Sequence, residues 1–140
     1  MRTREKRGTA LLEFAGSLLV ISAAFSGMFQ LGYGAYSYNR LVNAVRDGAR
    51  YASLQPFGSA GVDPEFSRTV QRLVVYGDPK PGPNARPVVP GLTEQNVELI
   101  VGDRTMTVTI HHFQIDGAFS KLNIEGRPTV TFPCTNGAGR

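Results

Sequence analysis

Among the residues able to do chemistry, one carboxylate stands out. Glu13 sits five residues past Gly8, near the start of an otherwise uncharged apolar run from Ala10 to Leu31, in a chain that opens with the basic stretch Met1-Arg-Thr-Arg-Glu-Lys-Arg7. A charge in the outer part of a bilayer-spanning helix costs about 2–3 kcal/mol or more unless it is paired, so such a residue usually has a partner and a function. The competing role is an acid in the first turn of a helix near the lipid headgroups, where it complements the helix dipole. Other candidates carry less. His111 and His112 are adjacent on a predicted strand, so their side chains point to opposite faces and do not converge on one metal ion; they read as a surface pair on a hairpin. Cys134 is the single cysteine and allows no intrachain disulfide. It reads as a small apolar residue beside Phe132, with intermolecular pairing as the alternative. There is no Gly-x-Ser-x-Gly, no phosphate loop with Gly-Lys-Ser/Thr and no Cys-x-x-Cys. Gly32-Tyr33-Gly34 lacks the third glycine and the preceding strand of a dinucleotide site, and reads instead as a flexible point where a helix leaves the membrane. The expectation is a protein that is not an enzyme, with no cofactor, no metal and no small-molecule substrate.

The element that must position Glu13 is a long helix. Leu11 to Leu31 is 21 residues, about 32 Å as an α-helix, which matches the hydrocarbon thickness of a bilayer for a single span. Arg2, Arg4, Lys6 and Arg7 lie directly before the run and Arg40 is the first basic residue after it, so the positive-inside rule puts the N-terminus in the cytoplasm and the rest outside. Tyr33, Tyr36 and Tyr38 follow at the depth where aromatic rings settle at a membrane boundary. Ala23 and Gly27, and Ser22 and Ser26, are small pairs at four-residue spacing that permit close helix approach, although such residues are also ordinary in membrane helices. Helical spacing then continues through residues 38–54. Leu41, Val45, Gly48, Ala49 and Ala52 form a stripe of apolar and small residues that suits packing on an exported domain, and Pro56 and Gly58 end the pattern.

The remainder, residues 55–140, reads as a small α+β domain without disulfide staples. Asp63-Pro64-Glu65 has the form of an N-cap, a proline at the first helical position and a dipole-compensating acid; Phe66, Val70, Leu73 and Val74 mark the buried face, and Gly77 and Pro79 the end. Val97, Leu99 and Val101 alternate with Glu98 and Ile100; Gly102-Asp103 offers a two-residue turn, and a strand from Thr105 to Phe113 turns Met106, Val108 and Ile110 to one face. A third strand, Thr129 to Phe132, can join one edge of this hairpin. Between helix and hairpin, Gly77 to Leu92 holds five prolines and three glycines and reads as a surface loop, with a partner-contact loop as the alternative.

The net charge of +4 does not mark a nucleic-acid binder. Residues 1–8 hold four basic side chains and one acid, which leaves +1 for everything from Thr9 onward, and no run of Lys or Arg with interleaved aromatics occurs there.

The basic leader, Gly8 and then Thr9-Ala-Leu-Leu-Glu13-Phe14 resemble the prepilin-peptidase site of type IV pilins, with Glu13 at the fifth position after the cut. Glu13-Phe14 opening the membrane helix, with Asn43-Ala-Val-Arg-Asp-Gly-Ala-Arg-Tyr-Ala52 closing it, resembles more narrowly the TadE-like proteins, pilin-like minor components of the tight-adherence (Flp) pilus machinery. The resemblance is specific over residues 7–54 and loose beyond. It implies a pilin-like α+β fold in which one long N-terminal helix, transmembrane in its first half, packs on a small antiparallel sheet with a second helix. The organisation it implies is a cytoplasmic leader (1–8), a long helix (9–54, transmembrane about 10–31 and amphipathic 38–54) and an exported domain (55–140). The implied role is a minor pilin or pseudopilin in pilus assembly, contributing to adhesion or biofilm formation. It implies processing at Gly8, Thr9, Glu13 and Phe14, after which the new ammonium at Thr9 and Glu13 of a neighbouring helix neutralise one another, with Ala23 and Gly27 at the helix–helix contact. Implied partners are the membrane, a prepilin peptidase, the major Flp pilin, another minor pilin-like subunit and an inner-membrane platform driven by a cytoplasmic ATPase. The implied location is the bacterial inner membrane with the C-terminal domain periplasmic or extracellular, or the surface pilus itself. Thr9 departs from the large apolar residue with which mature pilins often begin. A different outcome, cleavage by signal peptidase after Ala24 in Ser22-Ala-Ala24, would release a soluble binding domain and discard Glu13; an uncleaved anchor carrying a binding domain is a third.

Overall fold

The computed structural model describes residues 2–54, 63–102, 105–116, 121–124 and 126–134. Helix α1 spans Arg2–Leu54, α2 spans Pro64–Tyr76, and five strands follow: β1 (Val97–Val101), β2 (Thr105–Ile110), β3 (Phe113–Asp116), β4 (Lys121–Ile124) and β5 (Thr129–Pro133). This is the α+β class that the sequence predicts. Pro56 and Gly58, expected to stop α1, and Asp103 of the expected turn lie outside the described residues. The chain divides into two compact units, Met1–Tyr33 and Gly34–Arg140.

The first unit is the start of α1. It begins at Arg2, in keeping with the strong helix propensity of Arg2, Arg4, Glu5, Lys6 and Arg7. From Leu11 to Leu31 every large apolar side chain is exposed, between 52% at Leu18 and 77% at Leu12 and Leu31. A helix apolar on all sides with its large side chains exposed suits a lipid or protein environment. This one is long and apolar enough to cross a membrane. The backbone is helical through Gly32-Tyr33-Gly34.

In the second unit, α1 supplies a core face. Leu41, Ala44, Val45, Gly48, Ala49 and Ala52 are buried at three- and four-residue spacing, as one stripe of a 3.6-residue helix requires. Helix α2 starts as its sequence dictates. Asp63 Oδ1 accepts from Glu65 N (3.0 Å), Pro64 occupies the first turn, and Gly77 closes the helix in the left-handed conformation (φ 74°) with its N–H donating to Leu73 O (2.8 Å). Val70, Val74 and Val75 are buried, and the Phe66 ring stacks on Tyr51 of α1 at 6.5 Å.

Strands β1, β2 and β5 form an antiparallel sheet in the order β1-β2-β5, with Leu99 opposite Val108 and Val108 opposite Val130. Period-two alternation turns Met106, Val108 and Ile110 into the core, fully buried, and Glu98, Thr107, Thr129 and Thr131 to the other face. There the threonine hydroxyls pair across the strands, Thr107 with Thr131 and Thr109 with Thr129, each at 2.8 Å. Helix α2 lies against β1, where Gln71 Nε2 donates to Val97 O (3.0 Å).

Two expectations need correction. The strand expected from Thr105 to Phe113 ends at Ile110, and Phe113 opens a second antiparallel sheet, β3-β4. The break lies at His111-His112, where His112 adopts a left-handed backbone (φ 51°). Asn96 holds this corner: its Nδ2 donates to His111 O (3.1 Å) and His112 O (3.0 Å), and its Oδ1 accepts from Thr93 N and Oγ1. The histidines are therefore a corner between sheets rather than neighbours on one strand. The loop expected on the surface, Gly77 to Leu92, is partly core, since Val89 and Leu92 are buried.

Candidate functional site

Gly8, Thr9, Glu13 and Phe14 occupy the first unit and are exposed helical residues. Thr9 precedes Glu13 by just over one turn of helix, and Gly8 precedes it by about 1.4 turns. The peptide joining Gly8 to Thr9 is itself helical. The Glu13 carbonyl accepts from Ser17 Oγ (2.9 Å), while its carboxylate makes no ion pair among the described residues.

Ala23 and Gly27 lie one turn apart on the same helix, about 6 Å along the axis. Both are exposed, and nothing lies within 4 Å of where a Gly27 side chain would begin.

Leu41, Val45, Ala49 and Ala52 are all fully buried in the second unit. Gly48 lies between them against α2: a Cβ at this position would overlap Val74 Cγ2, and Val70 Cγ1 is 3.8 Å away. Glycine here permits a close helix–helix approach that no larger residue allows. Ser37 and Ser53 are also buried, extending the stripe at both ends. Sequence reasoning missed them because serine is usually exposed, although Ser37 stands four residues before Leu41 on the same face. Exposed on the other side are Tyr36 and Arg40, whose guanidinium carbon sits 5.7 Å from the Tyr36 ring centroid.

The remaining chemistry-bearing side chains among the described residues form isolated pairs. His111 Nε2 meets Glu98 Oε2 at 2.7 Å, and the His112 ring lies 6.3 Å from that of His111, tilted by 41°. Among the described residues no three of His, Cys, Asp and Glu come together as metal ligands. Arg72 reaches Glu94 at 3.6 Å on the surface, a pair worth less than about 1 kcal/mol at this exposure. Cys134 is a free, half-buried thiol just past β5.

Compared with known proteins, residues 8–50 match the family model of the TadE-like proteins. The match begins at Gly8, includes Glu13, Ala23 and Gly27, and ends within the buried stripe of α1, short of α2 and the sheets. No curated protein and no solved structure matches the chain.

Proposed function

We propose that this chain is a pilin-like minor component of a tight-adherence (Flp) pilus machinery, cut by a prepilin peptidase between Gly8 and Thr9 and anchored through the apolar start of α1. The TadE-like match supports the pilus association, and the apolar helix supports membrane anchoring. The observation that carries the finer reading is Glu13: a carboxylate without an ion pair among the described residues, on an exposed apolar helix, one turn and one residue past Gly8.

Cleavage after Gly8 removes the four basic residues and leaves an ammonium on Thr9 at the head of an intact helix. In one helix the two charges lie a turn apart; between two helices staggered by about a turn, the ammonium of one meets Glu13 of the other. At 4 Å and an effective dielectric constant near 20 that attraction is about 4 kcal/mol, enough to offset the cost of holding a carboxylate in the membrane. Small residues at Ala23 and Gly27 let the helices approach within packing distance, which drives association where burial of apolar surface cannot. The buried stripe Leu41, Val45, Ala49 and Ala52 packs the second half of α1 into the exported domain. In this reading the N-terminus is cytoplasmic, the domain lies outside the inner membrane, and the assembly energy comes from a cytoplasmic ATPase acting through the platform. The major pilin and a second minor pilin-like subunit are its neighbours, and surface adhesion is the output.

Glu13→Gln tests this. The variant should be cleaved and remain in the membrane at the parental level, yet cells carrying it should lack pili. Normal piliation with Glu13→Gln would contradict the proposed role.

A further inference from the structure

We propose that the cleft between α1 and the start of β5 binds the phosphate of an anionic phospholipid headgroup. Its walls are Tyr38, Val42 and Arg46 from α1, and Arg127, Pro128 and Val130 from the turn and strand opposite. Two exposed guanidinium groups thus stand on facing walls, one on the helix and one beside the left-handed turn at Gly126 (φ 66°). None of the described residues lining the cleft is acidic. The contrast is the cleft beside α2, where Arg72 and Lys80 share their space with Glu94, 3.6 Å from Arg72, so that its positive charge is already partly answered.

The chemistry of the cleft suits an amphiphile with a phosphate. A guanidinium donates two parallel N–H bonds to a phosphate in a way an ammonium does not, and two of them address both anionic oxygens. Val42, Pro128 and Val130 supply an apolar floor for the glycerol and upper acyl carbons, and Tyr38 offers an amphipathic ring of the kind that settles at membrane boundaries. Position favours the same ligand. Tyr38 follows Leu31, the last residue of the apolar run, by seven residues, so even a fully extended chain would hold it within about 25 Å of the bilayer edge. Tethering at that range keeps headgroups at high effective concentration, and a site of modest intrinsic affinity is filled. A zwitterionic headgroup carries its own ammonium beside the phosphate and competes with the arginines, so the cleft selects anionic lipid. This inference needs the membrane anchor but not the cut after Gly8, and a chain that keeps its leader is expected to bind equally well.

The test is thermal unfolding of the full chain in an uncharged detergent, titrated with short-chain phosphatidylglycerol, with phosphatidylcholine of the same chain length, and with inorganic phosphate. Phosphatidylglycerol should raise the unfolding temperature saturably, and phosphatidylcholine should not. Arg46→Gln and Arg127→Gln should each raise the half-saturating concentration about fivefold, the pair together more than tenfold, and Arg72→Gln should leave it unchanged. Both arginines are exposed, so the variants should fold; if the double variant does not, the single variants carry the comparison. An equal response to phosphatidylcholine, or a response surviving in both arginine variants, would overturn the site. An equal shift from inorganic phosphate at the same concentration would assign the cleft to free phosphate and overturn the lipid assignment.

Discussion

Replacing Gly48 with alanine places a methyl group where Val74 Cγ2 already lies. The new Cβ would overlap that methyl far inside contact distance, with Val74 Cβ 3.7 Å and Val70 Cγ1 3.8 Å away. Val74 has nowhere to swing: valine in a helix is held near one χ1 rotamer, and Val70 and Val74 are both fully buried. Overpacking a close contact costs about 1–3 kcal/mol, while exchanging glycine for alanine within a helix returns nearly 1 kcal/mol. The net expectation is a loss of about 1 kcal/mol for Gly48→Ala and about 2–3 kcal/mol for the bulkier Gly48→Val. At about 4 °C per kcal/mol, these are shifts of about 4 °C and about 10 °C in Tm. The assay is thermal unfolding of the full chain in uncharged detergent, followed by near-ultraviolet circular dichroism, where Tyr51 and Tyr76 report on the second unit. Because the clash is with one named methyl, Val74→Ala should rescue Gly48→Ala, so that the double variant is more stable than the sum of the singles by at least about 0.5 kcal/mol. A Gly48→Ala protein as stable as the parent, or strict additivity with Val74→Ala, would refute the close approach of α1 and α2.

Other changes follow from the same structure. Leu41→Ala removes a fully buried side chain from the α1 stripe and should cost about 3 kcal/mol in urea unfolding, whereas Arg50→Ala on the exposed face should stay within about 0.5 kcal/mol. Asn96→Asp turns a carboxylate oxygen toward the carbonyls of His111 and His112 in place of the donating Nδ2, and should lower stability by about 2 kcal/mol at neutral pH. At the left-handed His112, His112→Gly should be neutral or stabilising by up to about 1 kcal/mol, while the β-branched His112→Val should destabilise by about 1–2 kcal/mol, both read from the urea midpoint.

Much of this architecture is legible in the residues. The buried stripe of α1 follows from helical spacing with small residues, and α2 can be bounded from Asp63-Pro64 and Gly77 because caps are local chemistry. The inward face of β2 follows from strict alternation. What escaped prediction depends on contacts distant in sequence. Apolar Phe113 and Ile115 resume the alternation one position out of phase with Met106, Val108 and Ile110, which marks an interruption at His111-His112 but not that the chain enters a second sheet there; that turn is held by Asn96, fifteen residues before His111. Val89 and Leu92 look like loop residues among prolines because their burial comes from the tertiary packing around them, not from any periodicity. At the candidate site, the spacing of Gly8 and Glu13 is plain in the sequence, and the structure adds that both are exposed helical residues.

The proposed role stands most directly on where the mature chain begins. The measurement is the intact mass and N-terminal residue of the protein isolated from native membranes, in strains with and without the cognate prepilin peptidase. A start at Thr9 that depends on the peptidase is the expected result. A start at Phe25 would identify a secreted domain that has discarded Glu13, and an unchanged leader in both strains would leave a plain membrane anchor; either result would contradict the pilin-like account.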